Sequence, residues 1–576
     1  MRTLFLHPDD SPLDGPWAAQ RWDLIVDLGK SYAFSEQRWS REKQCRVVRT
    51  ESFRNGLADA RAVREILGVL RGWLIDEEGI DWWKLTSLHL APELFSVLTL
   101  RRMAEEMKPD GELWATRRRM PVGVLEKILG CAISSFSDDA RASVMRRVQH
   151  YAGMARRFSV PQLTEIFLDK YDPAYRWRSR FAGGRKRKDQ PVVLVPSAYG
   201  NVSRMAAAYA GLLPDQQFLM VATRQSAKQF AVPVNMEVRD LAVYATAEPS
   251  KETVPLLRSW SQAKAELRSS PELKVLFDAG GADAVSSWIG NGLAARNAWR
   301  TVLEDEPVSG VLCGDDSNFY TRLPVLLAAV RKLPTVDFHH GAIDGRYVLK
   351  DLPCDVYLAK NEMERDYLVR VCELPGDQVV CAAPDGAMAA AATAIGSAIV
   401  LFSEPYEVAE LRAEEVYGEI LPPLCELARR HSRKVIVKLH PFESRAQLLK
   451  LIQSVLASQD LSCVSVVEGP LTGELLEQAW FGITVESTTV IDCLKRGICC
   501  FFCAWMSLSP YEYGRQYARW GLGAPLQNAN EICEIPDRIK TLAEHLPDPR
   551  SLARPADPAM LQSWLTSRPV SVRSAS

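Results

Sequence analysis

From residue 390 onward, short apolar runs alternate with stretches that have helical periodicity. The runs are rich in Val, Ile and Phe and lack polar alternation, which is typical of strands that helices cover on both faces. Strand and helix repeated in this way predict a doubly wound parallel sheet over residues 390–565. The predicted strands are SAIVLFSEP, KVIVKLHP, SCVSVVEGP, WFGITVES and ICCFFCAW, and the helices between them begin at Glu407, Ser444, Thr472 and Thr489.

The middle of the chain repeats this pattern less regularly over residues 190–385. A second parallel sheet is therefore expected, with a hinge near residue 385, where AAPDGAMAA separates the two regions. The predicted fold class is α/β, with two Rossmann-like parallel-sheet domains that face a cleft. The strands of the second sheet are predicted at PVVLVPSAYGN, QFLMVATR, VSGVLCGDDSN, TVDFHHGA, DVYLAKNE and QVVCAAPD.

Residues 1–185 mix both kinds of element. RTLFLHP and WDLIVDLG predict buried strands, whereas residues 57–76, 90–107 and 138–158 have the periodicity of amphipathic helices. We therefore expect an α/β segment with a helical insert that forms part of the first Rossmann-like domain.

Length and charge exclude several classes of protein. A chain of 576 residues is too long for one hydrophobic core, so two or three domains are expected. Lys and Arg total 70 against 71 Asp and Glu, so no overall field draws the protein onto nucleic acid or an anionic membrane. The first residues lack a signal-peptide pattern, and the most apolar stretch, residues 386–402, is short for a membrane span. We expect a cytoplasmic protein whose 13 cysteines are reduced.

Polar residues at the ends of the predicted strands are the candidates for function. In an open parallel sheet, ligands bind outside the carboxyl ends of the strands, where loop amides and helix N-termini converge. Five strand ends carry such residues: Gly314, Asp315 and Asp316; His339, His340 and Gly341; Ser403 and Glu404; Lys438, His440 and Pro441; and Glu486, Ser487, Thr488 and Thr489.

Lys438 and His440 together favour an anion site. Pro441 fixes the direction in which the chain leaves the strand, and Lys438 points to the same side of the pleat as His440. A histidine satisfied within the core is the alternative for His440, but its pairing with a lysine suggests a diphosphate or a nucleotide phosphate.

The ESTT turn, residues 486–489, has two compatible interpretations. Ser and Thr are favoured as helix N-caps, because their side-chain oxygens accept a backbone hydrogen bond. A turn with additional hydroxyl groups at a helix start is also a phosphate cradle.

The HHGA and GDDSN turns are the candidates for catalysis. A histidine of near-neutral pKa is the usual acceptor of a hydroxyl proton, and a following glycine permits close backbone approach or a positive φ. A structural histidine pair is the alternative. Asp315 and Asp316 are compatible with an Asx-capped turn, with a Mg²⁺ site, or with orienting an acceptor or a histidine.

These motifs together resemble glycosyltransferases of the GT-B fold. The likeness extends over residues 300–505 and is greatest to bacterial enzymes of surface polysaccharide assembly, namely CDP-glycerol glycerophosphotransferases and the CMP-dependent sialyl- and Kdo-transferases. In that group a His-Pro motif and a following Ser-Ser or Ser-Thr motif bind the donor's nucleotide phosphate. The resemblance places these roles on His440, Pro441, Ser487, Thr488 and Thr489, with Asp492 as the acid that follows.

The resemblance also implies a reaction. His340, with His339 beside it, matches the histidine-glycine turn that supplies the base, and Asn201, Gly341 and Asp316 are expected near the acceptor hydroxyl. We predict inverting transfer of a sugar or polyol phosphate from a nucleotide-activated donor to a glycan or lipid-linked acceptor. Lys438 and helix amides can offset the charge of the leaving nucleotide, so no metal or cofactor is required, although Mg²⁺ is compatible with the carboxylates.

Two other functions stay open, together with one possible membrane contact. A sugar-nucleotide epimerase or a non-catalytic carbohydrate-binding scaffold would use the same two-sheet frame. A basic segment that includes Arg176 and Lys188 is either a solvated linker or a peripheral contact with the anionic inner leaflet. Its other basic residues are Arg178, Arg180, Arg185, Lys186 and Arg187.

Overall fold

Three parallel sheets, each with helices between its strands, make up the ordered core of the protein. The computed structural model describes residues 1–29, 32–68, 72–136, 160–183, 189–246, 250–316, 319–341, 343, 354–384, 396–406, 412–441, 443–507 and 511–567. The predicted helix at 138–158 and the predicted hinge from residue 385 lie outside these ranges.

The chain divides into two compact units. Unit 1 consists of residues 1–59, 96–146 and 387–552. Unit 2 consists of residues 60–95, 147–386 and 553–576.

The first sheet lies in unit 1 and has the strand order β3-β2-β1-β4-β5. Phe5 pairs with Val26 on one side and with Ala115 on the other, in parallel register. The strands are β1 Arg2–Leu6, β2 Leu24–Asp27, β3 Arg46–Arg49, β4 Glu112–Ala115 and β5 Ser134–Ser135. The helices of this part of the chain are α1 Ala33–Lys43, α2 Gly56–Gly68, α3 Trp83–Met107 and α4 Met120–Leu129.

The second sheet lies in unit 2 and has the order β12-β11-β10-β9-β6-β7-β8. Leu194 on β6 pairs with Leu219 and with Val311, so β6 is central and fully buried. The strands are β6 Val192–Ser197, β7 Gln217–Ala222, β8 Met236–Asp240, β9 Val308–Cys313, β10 Thr335–Phe338, β11 Val356–Ala359 and β12 Val379–Cys381. The helices are α5 Val160–Tyr171, α6 Arg176–Phe181, α7 Gly200–Gly211, α8 Thr253–Leu267, α9 Pro271–Asp278, α10 Val285–Asp305, α11 Phe319–Val330 and α12 Glu362–Asp366.

The third sheet lies in unit 1 and has the order β15-β14-β13-β16-β17-β18. Leu401 on the central strand β13 pairs with Val437 and with Ile483. The strands are β13 Ala398–Phe402, β14 Lys434–Lys438, β15 Val464–Val467, β16 Ala479–Thr484, β17 Cys500–Cys503 and β18 Ala524–Leu526. The helices are α13 Ala413–Arg430, α14 Arg445–Val455, α15 Gly473–Glu477, α16 Thr489–Leu494, α17 Tyr513–Arg519, α18 Ile535–His545, α19 Pro549–Leu552 and, in unit 2, α20 Pro558–Thr566.

All three sheets begin with the same strand order. Numbered within each sheet, the strands run 3-2-1-4-5, followed by a sixth strand in the third sheet and by a sixth and seventh in the second. This is the doubly wound order, in which the connections reverse direction between the first and fourth strands. The predicted α/β class with Rossmann-like parallel sheets is therefore confirmed.

The amino-terminal segment differs from the expectation in one respect. Its strands pair only with one another, so residues 2–135 form a sheet of their own instead of adding strands to the sheet of residues 192–381. The reason is that β3, β4 and β5 supply the further parallel neighbours that β1 and β2 need.

Within unit 1, the first sheet contacts the third through the start of α13. The Arg412 guanidinium donates to the backbone oxygens of Pro8 and Asp10 and lies 3.4 Å from a carboxylate oxygen of Asp27. Tyr32, just before α1, is buried in the hydrophobic cluster of the third sheet. The amino-terminal sheet therefore contributes side chains to the surroundings of the third sheet.

None of the described helices combines the length and apolar character that crossing a bilayer requires.

Candidate functional site

The predicted donor residues lie along one edge of the third sheet. Strands β14, β13 and β16 are adjacent in the sheet, and their carboxyl ends lead into the predicted polar residues. The reversal of strand order falls between β13 and β16, which is where open α/β sheets bind their ligands. Ser403 and Glu404 follow β13; Lys438, His440 and Pro441 end β14 and begin its loop; Glu486, Ser487 and Thr488 follow β16; and Thr489 and Asp492 lie on α16.

The Glu404 carboxylate bridges this reversal point. One of its oxygens, Oε1, accepts hydrogen bonds from the Thr484 hydroxyl at 2.9 Å and from the backbone N–H groups of Val485, Glu486 and Ser487 at 3.1, 2.6 and 3.1 Å. Burial raises the pKa of Glu404, and these hydrogen bonds oppose the shift. The sequence analysis assigned the N–H groups of this turn to a donor phosphate. In the structure they bind a carboxylate oxygen of Glu404.

Ser403 belongs to a buried hydrogen-bond cluster that explains why Glu443 follows the His-Pro motif. The Ser403 hydroxyl contacts the Tyr417 hydroxyl and the Glu443 carboxylate. Glu443 also accepts from the Tyr417 hydroxyl at 2.9 Å and from the backbone N–H of His440 at 3.0 Å. The cluster ties the end of β13 to the loop after β14 and fixes the backbone of His440.

Lys438 and His440 lie close together in a largely apolar setting. Lys438 is buried, and its ammonium donates to the backbone oxygen of Leu439 at 2.7 Å. Burial lowers the pKa of Lys438, and the charge of Glu443 opposes that shift. Burial, followed by the charge of Lys438, lowers the pKa of His440 to about 4. His440 is therefore a neutral imidazole at physiological pH, with one N–H donor and one basic nitrogen.

The ESTT turn contains one side-chain to backbone hydrogen bond and one hydroxyl group that has no partner among the described residues. The Ser487 hydroxyl accepts from the backbone N–H of Thr489 at 3.3 Å, but Thr488, the residue at the N-cap of α16, makes no side-chain capping bond. The Glu486 carboxylate contacts the Ser507 hydroxyl. Among the described residues, the buried Thr489 hydroxyl oxygen has no hydrogen-bond partner.

The second sheet brings the predicted catalytic residues to its own carboxyl edge. Strands β9 and β10 are neighbours, and the strand order reverses between β6 and β9. Gly314, Asp315 and Asp316 follow β9; His339, His340 and Gly341 follow β10; and Asn201 lies in the first turn of α7, after β6.

His340 is a partly buried, neutral imidazole. Burial and then the charge of Lys360 lower its pKa to about 4, against a hydrogen bond with the Gly314 backbone that raises it. Within the described part of the chain, its Nδ1 atom has no hydrogen-bond partner. The ring centroids of His339 and His340 are 5.1 Å apart. A neutral imidazole with a free nitrogen can accept a proton, which a structural pair with both nitrogens engaged cannot do.

Asp316 has a specific partner that the sequence did not indicate. Its carboxylate lies 2.7 Å from the Arg322 guanidinium on α11, and both side chains are almost fully buried. The Asp315 backbone oxygen accepts from the Thr321 hydroxyl. Both contacts connect the end of β9 to α11, so the GDD turn has a clear structural task at this position.

Close packing requires a glycine at position 314 but not at position 341. A Cβ at Gly314 would lie 2.4 Å from the Phe338 ring and 2.6 Å from Val202, whereas a Cβ at Gly341 would meet nothing within 4 Å. Gly341 also lacks the positive φ expected from the sequence. The HHG turn therefore carries no backbone requirement for its glycine.

Lys360 and Glu364 were missed by the sequence analysis. The Lys360 ammonium donates to the Gly341 backbone oxygen at 2.7 Å and lies 3.4 Å from the buried Glu364 carboxylate, whose pKa burial raises. Lys360 directly follows β11 in the run DVYLAKNE, so comparing that strand end with the other five would have found it. No sequence pattern pointed to Tyr32. It precedes α1, beside the first sheet, and its side chain packs into the hydrophobic cluster of the third sheet.

Among the described residues, no three or more His, Cys, Asp or Glu side chains are grouped so that they could hold a metal ion.

No family model matches the sequence, and no curated protein matches it. Solved structures with a similar fold include the UDP-GlcNAc 2-epimerase from Methanocaldococcus jannaschii, with 10% identity and a TM-score of 0.41 over 66% of this chain and 99% of that one. They also include the wall teichoic acid polymerase TagF, with 10% identity and a TM-score of 0.36 over 72% and 95%. The calicheamicin glycosyltransferase CalG4 has 14% identity and a TM-score of 0.37 over 66% and 98%.

Proposed function

We propose that the protein is a glycosyltransferase-type enzyme that uses a nucleotide-activated donor. It would transfer a sugar or a polyol phosphate to a glycan or lipid-linked acceptor in surface polysaccharide synthesis. The observation that carries the proposal is the convergence of four hydrogen-bond donors on one anionic oxygen at the reversal point of the third sheet. Such backbone concavities are suited to phosphate groups.

The donor side of the proposal belongs to unit 1. His440, neutral and fixed by Glu443 through its backbone N–H, offers a ring N–H to a phosphate oxygen. Lys438 supplies the positive charge nearest to it. The Thr489 hydroxyl, without a partner among the described residues, is a further donor, with the Ser487 and Thr488 hydroxyls on the same turn. The hydroxyl groups, His440 and Lys438 would offset the charge that grows on the leaving nucleotide, while Asp492 is the acid that follows on α16.

The acceptor side of the proposal belongs to unit 2. His340 removes the proton from the acceptor hydroxyl, because its imidazole is neutral and has a free nitrogen. Lys360 holds the Gly341 backbone, and Asp316 holds Arg322, so both support the turns around the base. Asn201 and Gly341 are the candidates for contact with the acceptor, His339 is the alternative base, and Asp315 lies on the turn after β9.

The proposed reaction is a single displacement with inversion. The acceptor oxygen loses its proton to His340 and forms a bond to the transferred carbon or phosphorus atom. The bond from that atom to the nucleotide's phosphate oxygen breaks, and the electron pair stays on the nucleotide. Because Lys438 and the backbone N–H groups can stabilise the departing phosphate, the reaction requires no metal and no cofactor.

We also propose a cytoplasmic protein with a peripheral contact to anionic lipid. On α6, Trp177 and Phe181 are 47% and 87% exposed, and on α5 the exposed rings of Phe167 and Tyr171 lie 4.6 Å apart. Exposed aromatic residues beside basic ones are typical of surfaces that rest on a membrane interface. The neighbouring basic residues are Arg176, Arg180, Arg185, Lys186, Arg187 and Lys188.

A thermal-shift screen with CMP, CDP, UDP, GDP and their sugars tests the proposed class. A nucleotide that binds the native state raises the melting temperature, and His440→Ala should remove that rise. If none of these compounds shifts the transition, the carbohydrate-binding scaffold becomes the better interpretation.

The same protein then distinguishes transfer from epimerisation. Incubation with UDP-N-acetylglucosamine and no acceptor should leave the sugar unchanged, because transfer needs an acceptor. Acceptor-independent turnover would favour the epimerase. Retention of full transferase activity in His340→Ala would remove His340 from the role of base.

A further inference from the structure

The anion site at the end of β16 is filled by the chain itself. All four donors, the Thr484 hydroxyl and the N–H groups of residues 485–487, point to Glu404 Oε1 at distances of 2.6–3.1 Å. Hydrogen bonds from backbone N–H groups to an ionised oxygen are among the strong hydrogen bonds of proteins. One set of donors at these distances can hold one anionic oxygen at a time.

Among the described residues, Glu404 takes part in no ion pair. The titratable groups that interact electrostatically with it are four tyrosines and a cysteine from five different parts of the fold. They are Tyr32 before α1, Tyr406 after β13, Tyr417 on α13, Cys503 on β17 and Tyr517 on α17, and the Glu443 and Glu486 carboxylates lie beside these tyrosines.

Tyr32 provides a second, independent indication of a ligand. Its side chain is 1% exposed, and among the described residues its hydroxyl has no hydrogen-bond partner. Of the charged groups that act on this hydroxyl, Glu404 has the largest effect. A buried hydroxyl without a partner is destabilising, so a polar group that binds at the cradle and reaches Tyr32 would gain an otherwise unused donor.

We propose that Glu404 is an internal competitor of the donor phosphate. A phosphate oxygen of the nucleotide replaces the Glu404 carboxylate on the Thr484 hydroxyl and the N–H groups of residues 485–487, and the Tyr32 hydroxyl donates to the same phosphate. The inference rests on the proposed function, because it names how the donor enters that site. It also gives the amino-terminal sheet a task, since that part of the chain supplies Tyr32.

The exchange couples nucleotide binding to protonation of Glu404. A protonated carboxyl group is a weaker acceptor and leaves the cradle more easily than a carboxylate. Nucleotide binding to the wild-type protein should therefore tighten as pH falls from 8 through the raised pKa of Glu404. Ionisation of the nucleotide's own phosphate contributes over the same range, so the Glu404 effect is the difference between the wild-type protein and a variant that cannot titrate there.

The experiment is calorimetric titration of the full-length protein with UDP, CDP and pyrophosphate at pH 6, 7 and 8. The variants are Glu404→Gln, which keeps the size of the side chain and removes its charge, and Glu404→Ala, which empties the cradle. Glu426→Gln is the matched control, because Glu426 lies on the exposed face of α13 and pairs with Arg430. We expect both Glu404 variants to bind about tenfold more tightly than wild type at pH 8, which corresponds to ~1.4 kcal/mol, and to lose the additional pH dependence.

The Tyr32→Phe variant tests the second half of the proposal. It removes only the hydroxyl oxygen and should weaken binding of the same probes by about tenfold. Unchanged affinity in Tyr32→Phe would remove Tyr32 from the site.

The outcomes separate this inference from the proposed function. If wild type binds a nucleotide but the Glu404 variants bind equally or more weakly, with the pH dependence of wild type, then Glu404 is not a competitor and the proposed function stands. If neither wild type nor any variant binds UDP, CDP or pyrophosphate, both proposals fail. Should Glu404→Ala not fold, Glu404→Gln alone decides the first question.

Discussion

Replacing Glu443 with alanine should destabilise the third sheet, because one carboxylate organises the loop that carries His440. Glu443 accepts hydrogen bonds from the Ser403 and Tyr417 hydroxyls and from the His440 backbone N–H. Ser403 and Tyr417 are 5% and 1% exposed, so water does not readily replace the lost acceptor.

The size of the effect follows from these contacts. Hydrogen bonds to a charged acceptor contribute about 1.5–3 kcal/mol each, and the hydroxyls of Ser403 and Tyr417 can still bond to each other after the truncation. We therefore expect the free energy of unfolding to fall by about 3 kcal/mol, less than the sum of three bonds. The corresponding fall in melting temperature is about 6 °C for a unit of this size.

Differential scanning calorimetry measures this change, and hydrogen exchange of peptides that cover β13 and β14 locates it. Glu426→Ala is the control, because its carboxylate is 45% exposed and pairs only at the surface, where such pairs contribute less than about 1 kcal/mol. If Glu443→Ala unfolds at the same temperature as Glu426→Ala, with unchanged exchange at β14, the cluster does not hold the His440 loop.

Three further predictions concern both units. Gly314→Ala should destabilise unit 2 by about 1–3 kcal/mol, because the added methyl group overpacks the site. Gly341→Ala should change the free energy of unfolding by less than about 0.5 kcal/mol. Equal melting temperatures for the two variants would contradict the contacts described for Gly314. Lys360→Met removes the charge that lowers the pKa of His340, so an NMR titration of the imidazole should show a higher pKa, and an unchanged value would mean that burial alone sets it. Because the folded-state pKa values of His340 and His440 are about 4, below the ordinary 6.5, the unfolded chain binds more protons between these values. Stability from both groups is present above pH 6.5 and is lost as pH falls toward 4, so urea unfolding of a His340→Gln, His440→Gln double variant should depend less on pH over that window than unfolding of wild type does.

The buried strands were predictable because both of their faces are apolar. SAIVLF, KVIVK and PVVLV show this directly, and each is a central strand of its sheet. Strand β8, with the sequence MEVRD, is an edge strand with partly exposed charged residues, and β18 has three residues, so neither produced a continuous apolar run. The sequence therefore identified strands that have an apolar run, including the edge strands β12 and β15, and missed strands that lack one, including the interior strand β4.

The positions of the candidate residues were predictable, and their hydrogen-bond partners were not. Parallel strands end at one edge, so Glu404, Lys438 and Glu486 had to lie near one another once the strand order was known. That Glu404 accepts from residues about 80 positions further along the chain depends on side-chain geometry that no local pattern encodes. The same holds for Asp316 with Arg322, where a polar strand end proved to be a buried ion pair.

The most direct test of a nucleotide site at the carboxyl ends of β13, β14 and β16 is a crystal structure of the full-length protein grown with UDP or CDP. We predict that the phosphates lie within hydrogen-bond distance of the His440 ring and of the N–H groups of residues 485–487, with the Glu404 side chain displaced. A nucleotide bound at the edge of either other sheet, with Glu404 still on those N–H groups, would contradict the assignment.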